Sequence, residues 1–158
     1  SIKLRWLNIK ILFLKIKNMS KENPVVHFEM PYEDKNRVAE FYKKAFGWQA
    51  KMMGPEMGNY VVMTTTKTDE KSGFPEEAGR INGGFFEKTK DNLYPSVVIA
   101  VDDIQEAMTR VKESGGKIIG ASKGMEPDDI PGIGTYISIE DTEGNRVGIL
   151  QPHPMPPT

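Results

Sequence analysis

The chain has 158 residues, enough for one domain with its own core, and a net charge of −1 that gives no electrostatic case for nucleic acid. It has no cysteine, which excludes disulfides, thiolate metal sites and cysteine nucleophiles. No apolar run is long enough to cross a bilayer as a helix.

Residues 1–18 carry Lys3, Arg5, Lys10, Lys15 and Lys17 and no acid. Met19-Ser20-Lys21-Glu22 after them reads as a natural start, so 1–18 is expected to be an extension outside the domain. Up to Ile11 its apolar residues mostly alternate with basic ones, a strand-like pattern; a cationic membrane-surface segment is the alternative. No apolar stretch followed by a small-residue cleavage site marks a signal peptide. The expected setting is the cytoplasm, with no nucleic-acid or membrane role.

The domain is expected to cover 19–152, with modules at about 24–88 and 94–152. Val25–Met30 reads as a strand closed by Pro31. Asp34 is a good helix N-cap, Val38, Phe41, Tyr42 and Ala45 recur at helical spacing, and Gly47 supplies a left-handed stop. Strands are expected at Trp48–Met53 and Tyr60–Thr66, a polar loop at Lys67–Gly79, and a fourth strand at Arg80–Glu87 containing Gly83-Gly84. The second module repeats the order. Val97–Val101 is a strand, and Asp103 caps a helix with Glu106 close to a capping box. Ala107, Met108 and Val111 form that helix's inner face, and Gly115-Gly116 ends it. Lys117–Ala121 is a strand and Pro127–Gly134 a loop. Thr135–Glu140 and Arg146–Gln151 form a hairpin across Asp141–Asn145. The tail 153–158 is expected to be loose.

Asp34 and Gly47 recur 69 residues later as Asp103 and Gly116. The chain therefore reads as one strand–helix–strands unit used twice: an α+β fold of two tandem βαβββ modules forming a cupped mixed sheet. The same offset carries His27 onto Ser96. Arg80 and Arg146 read as the equivalent openings of the last strands, 66 apart.

The ordered set of pieces resembles the vicinal oxygen chelate superfamily, which includes glyoxalase I, extradiol dioxygenases and bleomycin-resistance proteins. The pieces are His27–Pro31, Phe41–Trp48, Ile81–Phe85, Val98–Asp103, Gly115–Lys117, Ile130–Gly134 and Asp141–Asn145. The Phe-Tyr…Phe-Gly-Trp and Ile-Asn-Gly-Gly pieces look most like a poorly characterised glyoxalase-like branch. The resemblance implies paired modules around a cupped sheet, a small-molecule ligand and a homodimer. It also implies metal ligands on the first and last strand of each module. Those positions hold His27, Asn82 or Gly84, Ser96 and Gly148 here, of which only His27 is a good ligand. No metal and no cofactor are therefore expected.

His27 and Glu29 share one strand face and are the candidate catalytic pair, His27 as general acid–base. Asn82, Gly84, Ser96 and Gly148 are the candidate ligand-binding positions. Together these residues are expected to line one cavity that is otherwise apolar. The glycines either open room for a ligand or relieve crowding. Met52, Met53, Met57 and Met63 bracket one hairpin as packing or as a pocket lip. Asp128–Gly134 is either a lid or an ordinary turn. Two functions stay open. One is a metal-independent enzyme of lyase or isomerase type; the other is a non-catalytic, ligand-sequestering protein. A metal-dependent lyase or dioxygenase is disfavoured.

Overall fold

The computed structural model describes residues 22–154, so the expected extension at 1–18 and the end of the tail lie outside the described residues. The first module runs β1 (Val25–Tyr32), α1 (Lys35–Phe46), β2 (Gln49–Met52), β3 (Val61–Thr64) and β4 (Asn82–Glu87). The second runs β5 (Ser96–Ala100), α2 (Ile104–Glu113), β6 (Lys117–Gly120), β7 (Asp128–Ile130), β8 (Gly134–Glu140) and β9 (Arg146–Pro152). The nine described strands form one open mixed sheet in the order β2-β3-β4-β1-β5-β9-β8-β6, with β7 pairing β8. The fold is α+β, as the repeat implies.

The helix ends follow from local chemistry. The Asp34 carboxylate accepts the Arg37 N–H at 2.9 Å, and the Asp103 carboxylate accepts the Glu106 N–H at 2.9 Å. Glu106 turns along the helix to Arg110, 3.8 Å away, and does not complete a capping box. Gly47 closes α1 at φ 72°, a conformation that glycine adopts without steric cost. On α1 the apolar stripe centres on Val38, Ala39 and Tyr42; Phe41 and Ala45, expected on the inner face, are exposed. On α2 the inward residues are Ile104, Ala107 and Met108, with Val111 beside them.

Each module pairs its first and last strands in parallel, β1 with β4 and β5 with β9, as a crossover helix requires. The modules meet where β1 and β5 pair antiparallel, with Phe28 opposite Val97 and Glu29 opposite Ser96. Phe28 and Val97 are also 69 apart, so this facing pair is a pair of equivalents, and the pairs on either side of it, His27 with Val98 and Glu29 with Ser96, exchange with one another. An approximate twofold axis runs through them.

The registers correct one expectation. Glu29 stands beside Gly84, and its equivalent Val98 stands beside Gly148. The last strands are therefore 64 residues apart, not 66, and Arg146 matches Asn82 rather than Arg80. Two further differences are local. Asp128–Ile130, expected as loop, adds a short strand against Gly134–Tyr136, where the first half of β8 would otherwise have a free edge. His153, at the start of the expected loose tail, donates its backbone N–H to Ile133 O at 3.0 Å and its ring lies 2.8 Å from Asp129.

Alternation along the strands sends one face of the sheet to the helices. Under α1 this face buries Tyr32, Val61, Met63 and Phe85; under α2 it buries Val101, Ile137, Ile139 and Ile149. Of the methionines around the first hairpin only Met63 is fully buried, while Met52 is exposed. Phe85 is 2% exposed and packs against Tyr42 with the rings tilted, 5.2 Å between centroids. Phe85→Ala is expected to cost about 3–5 kcal/mol of unfolding free energy. A urea titration of the variant showing less than about 1 kcal/mol would mean the first module's core collapses around the gap.

Candidate functional site

The face that the helices leave uncovered carries every candidate residue. His27 and Glu29 lie on it because Phe28, Met30 and Tyr32 point to the helix side. Beside them in the sheet stand Asn82 and Gly84 on β4, Ser96 and Val98 on β5, and Gly148 beyond Val98 on β9. The sheet thus brings His27, Glu29, Asn82, Gly84, Ser96 and Gly148 onto one continuous surface.

That surface is filled by two tyrosines the sequence reading did not single out. A Cβ built on Gly84 would collide with the Tyr60 ring, and one built on Gly148 would lie 2.6 Å from Tyr136 Cε2. The two placements are the same placement made twice. Tyr60 lies two residues before Val62, which is opposite Gly84; Tyr136 lies two residues before Ser138, which is opposite Gly148. Glycine is required at both positions because a ring from the neighbouring strand crosses the backbone. Gly83 does the same on the other face, where it admits the ring of Phe28. The signal was present in the sequence: a tyrosine stands just before β3 and near the start of β8, and a glycine sits in each last strand.

The hydroxyls of these rings meet the candidate acid–base residues. Tyr60 Oη lies 2.8 Å from His27 Nε2. Tyr136 hydrogen-bonds the Glu29 carboxylate and lies 3.3 Å from Ser138 Oγ. Arg146 donates from Nη2 to Ser138 Oγ at 3.3 Å and from Nη1 to the Asp91 carbonyl at 3.5 Å. Asn82 is turned aside: its Oδ1 accepts the Thr65 N–H at 2.9 Å and its Nδ2 donates to Thr68 Oγ1 at 2.8 Å. It anchors β4 to the loop that leads into it.

Burial sets the protonation states. It pushes His27 down from 6.5 to about 4, so the imidazole is neutral at pH 7. Burial raises Glu29, against the opposing effects of the Tyr136 hydrogen bond and the nearby Arg146 charge. Burial raises both tyrosines, and the Glu29 charge adds to the rise, so both stay protonated. The face therefore presents a neutral imidazole, two phenols and a carboxylate in contact. Such a set can donate and accept protons.

The same residues do not fit the divalent centre that the resemblance implies. Such a centre holds about three protein ligands. Of the implied positions, Gly84 and Gly148 offer no side-chain donor and are covered by phenol rings, and the Asn82 amide is engaged elsewhere. Among the described residues no three His, Asp or Glu side chains converge. Two grooves, of about 430 and 420 Å³, flank α1 around Arg37 and Phe41 and do not include His27 or Glu29.

Two outcomes test this geometry. Because His27 resists protonation only when folded, its contribution to stability is complete above pH 6.5 and is lost as pH falls from 6.5 towards about 4. The stability difference between wild type and His27→Gln should therefore shift against wild type by roughly 2–3 kcal/mol between about pH 7.5 and about pH 4.5. A difference independent of pH would mean the ring is solvated. Gly148→Ala is expected to cost about 1–3 kcal/mol, and most of that cost should vanish in a Tyr136→Ala background. Additive costs in the double-mutant cycle would show that ring and glycine do not share the space.

Residues 25–66 match the family model described as bleomycin resistance protein-like N-terminal. The chain is 31% identical over 117 residues to a probable chloroplastic lactoylglutathione lyase of Arabidopsis thaliana; the match covers 73% of this chain and 31% of that protein. The chain thus spans about a third of that relative's length. Among solved structures it is similar to a hypothetical protein from Bacillus halodurans C-125, with a TM-score of 0.60 and 14% identity, covering 87% of this chain and 100% of that one. It is also similar to Streptomyces coelicolor methylmalonyl-CoA epimerase in complex with 2-nitronate-propionyl-CoA, with a TM-score of 0.60 and 11% identity over 87% of this chain and 100% of that one. At these identities the structures speak for the fold. Taken with the sequence matches and the two-module sheet, they place this chain in the vicinal oxygen chelate superfamily.

Proposed function

We propose that this protein binds a small organic molecule on the open face of its sheet and transfers a proton there without a metal ion. The observation that carries this reading is the pair of phenols over Gly84 and Gly148, each in contact with one acid–base group of β1. Neutral His27 is the proton acceptor, and Tyr60 fixes its orientation through the 2.8 Å bond to Nε2. Glu29 with Tyr136 is the second proton-transfer group. Two such groups on one strand face suit lyase or isomerase chemistry, in which a proton leaves one atom of the substrate and returns to another. The names of two similar proteins, a lactoylglutathione lyase and a methylmalonyl-CoA epimerase, agree with that class.

A ligand-sequestering role is the second reading. It is favoured by the bleomycin resistance protein-like match at residues 25–66 and by the internal hydrogen bonds that already occupy His27 and Glu29. A homodimer and a cytoplasmic setting belong to the same proposal. Among the described residues no helix is long and apolar enough to cross a membrane.

Native mass spectrometry and elemental analysis of the purified chain, followed by incubation with a panel of small carbonyl compounds and organic acids in deuterated buffer, test the reading. With chelator present, a panel compound is expected to exchange or rearrange, and His27→Gln is expected to lower kcat by roughly 100-fold or more. Recovery of the bound compound unchanged would favour sequestration. One tightly held Zn, Ni or Fe per chain, lost in His27→Ala, would overturn the metal-free site.

A further inference from the structure

Four arginines lie among the described residues, and three of them face a carboxylate: Arg37 with Glu33 at 4.0 Å, Arg80 with Glu77 at 2.6 Å and Arg110 with Glu106 at 3.8 Å. Arg146 does not. It is partly buried on β9, and its hydrogen bonds go to two neutral oxygens at 3.3 and 3.5 Å, both long. The acids nearest in the sheet are committed elsewhere. Glu140, directly across from Arg146, pairs with Lys117 at 3.5 Å. Glu29 lies beyond Ser96, outside ion-pair distance, and accepts from Tyr136.

A partly desolvated guanidinium whose hydrogen bonds go only to neutral oxygens, with the Glu29 charge acting on it at longer range, keeps N–H groups with which to bind an oxyanion. Its planar fork matches the two oxygens of a carboxylate or phosphate. The surroundings support the same ligand. Ser138 is 3% exposed, the single buried polar residue of the described core, and its hydroxyl lies between Arg146 and Tyr136. The flanking position is Gly148, and the Tyr136 ring lying over it forms the floor between this group and the centre of the face.

We propose that Arg146, its guanidinium positioned by the Ser138 hydroxyl it donates to, forms a seat for an oxyanion, the carboxylate or phosphate group of the ligand. The ligand then lies with its charged end in the second module and its reacting end at His27 and Tyr60 in the first. The seat rests on the open face being the ligand site, and it narrows the ligand to small organic anions.

The probes are sodium phosphate and sodium acetate, each titrated into the whole chain at ionic strength held constant with sodium chloride. With arginine side chains labelled by ¹⁵N, the Arg146 Nε–H resonance is expected to move saturably while those of Arg37, Arg80 and Arg110 do not. Saturation by phosphate alone assigns a phosphate group, and by acetate alone a carboxylate. Arg146→Gln is expected to weaken binding at least about tenfold, and Arg146→Lys, which keeps the charge without the fork, to weaken it less. A uniform response of all the arginines, no saturable response to either anion, or equal binding by Arg146→Gln overturns the seat. None of these results touches the proposed metal-free proton transfer, which stands or falls on His27.

Discussion

The pairing of β1 with β5 is the constraint on which the molecule depends. Each module has its own core under its own helix, and the two are joined through this seam. Strand register has a period of two, so a slip of one residue on β1 would turn Phe28 and Met30 outward and drive His27 and Glu29 into the helix side. Burial of the aromatic cluster around Phe28, Tyr42, Trp48 and Phe85 forbids that slip. The polar face is therefore held in place by apolar packing on the opposite side of the same strands.

On that face, space is controlled by glycine and filled by tyrosine. Gly84 and Gly148 let two rings lie flat across the sheet, and the ring hydroxyls reach the groups of β1. The arrangement is stiff, because each hydroxyl is tied to a partner fixed in a strand. It is also poorly solvated, which strengthens each hydrogen bond and makes any change of charge costly. The low acidity of Tyr60 and Tyr136 and the reluctance of His27 to protonate are two results of that one condition.

Much of this was legible in the sequence where the signal is local. Asp34 and Asp103 announce their helices, Gly47 announces an end, and alternation along Val25–Met30 puts His27 and Glu29 on one face. What was not legible depends on register between strands far apart in the chain. Loops of unequal length separate the strands of the two modules, so the sequence pattern pairs Arg80 with Arg146, two residues from the match set by the strand registers. A shift of two keeps the same face, so the candidate positions still share it, but the shift hid the correspondence of Asn82 with Arg146. The tyrosines were passed over for the same reason: which glycine a ring covers is settled by the diagonal neighbour on another strand. Phe41 misled in a different way. Its spacing fits the helix stripe, but α1 rolls so that Ala39 lies inward, where a small residue allows close approach to the sheet.

The seam also carries a consequence for how a guest can lie in the site. A face generated by a twofold axis offers two equivalent ways round, and an unbiased surface would hold a molecule in both. Here the axis relates His27 to Ser96, Glu29 to Val98 and Asn82 to Arg146. Every one of these exchanges swaps groups of unlike character, while the tyrosines and glycines between them stay matched. The scaffold keeps its symmetry and the chemistry discards it, so the two ends of the face that carries Tyr60 and Tyr136 are no longer interchangeable. Under the proposed function, three departures within an otherwise repeated pattern would select one orientation of an unsymmetrical molecule.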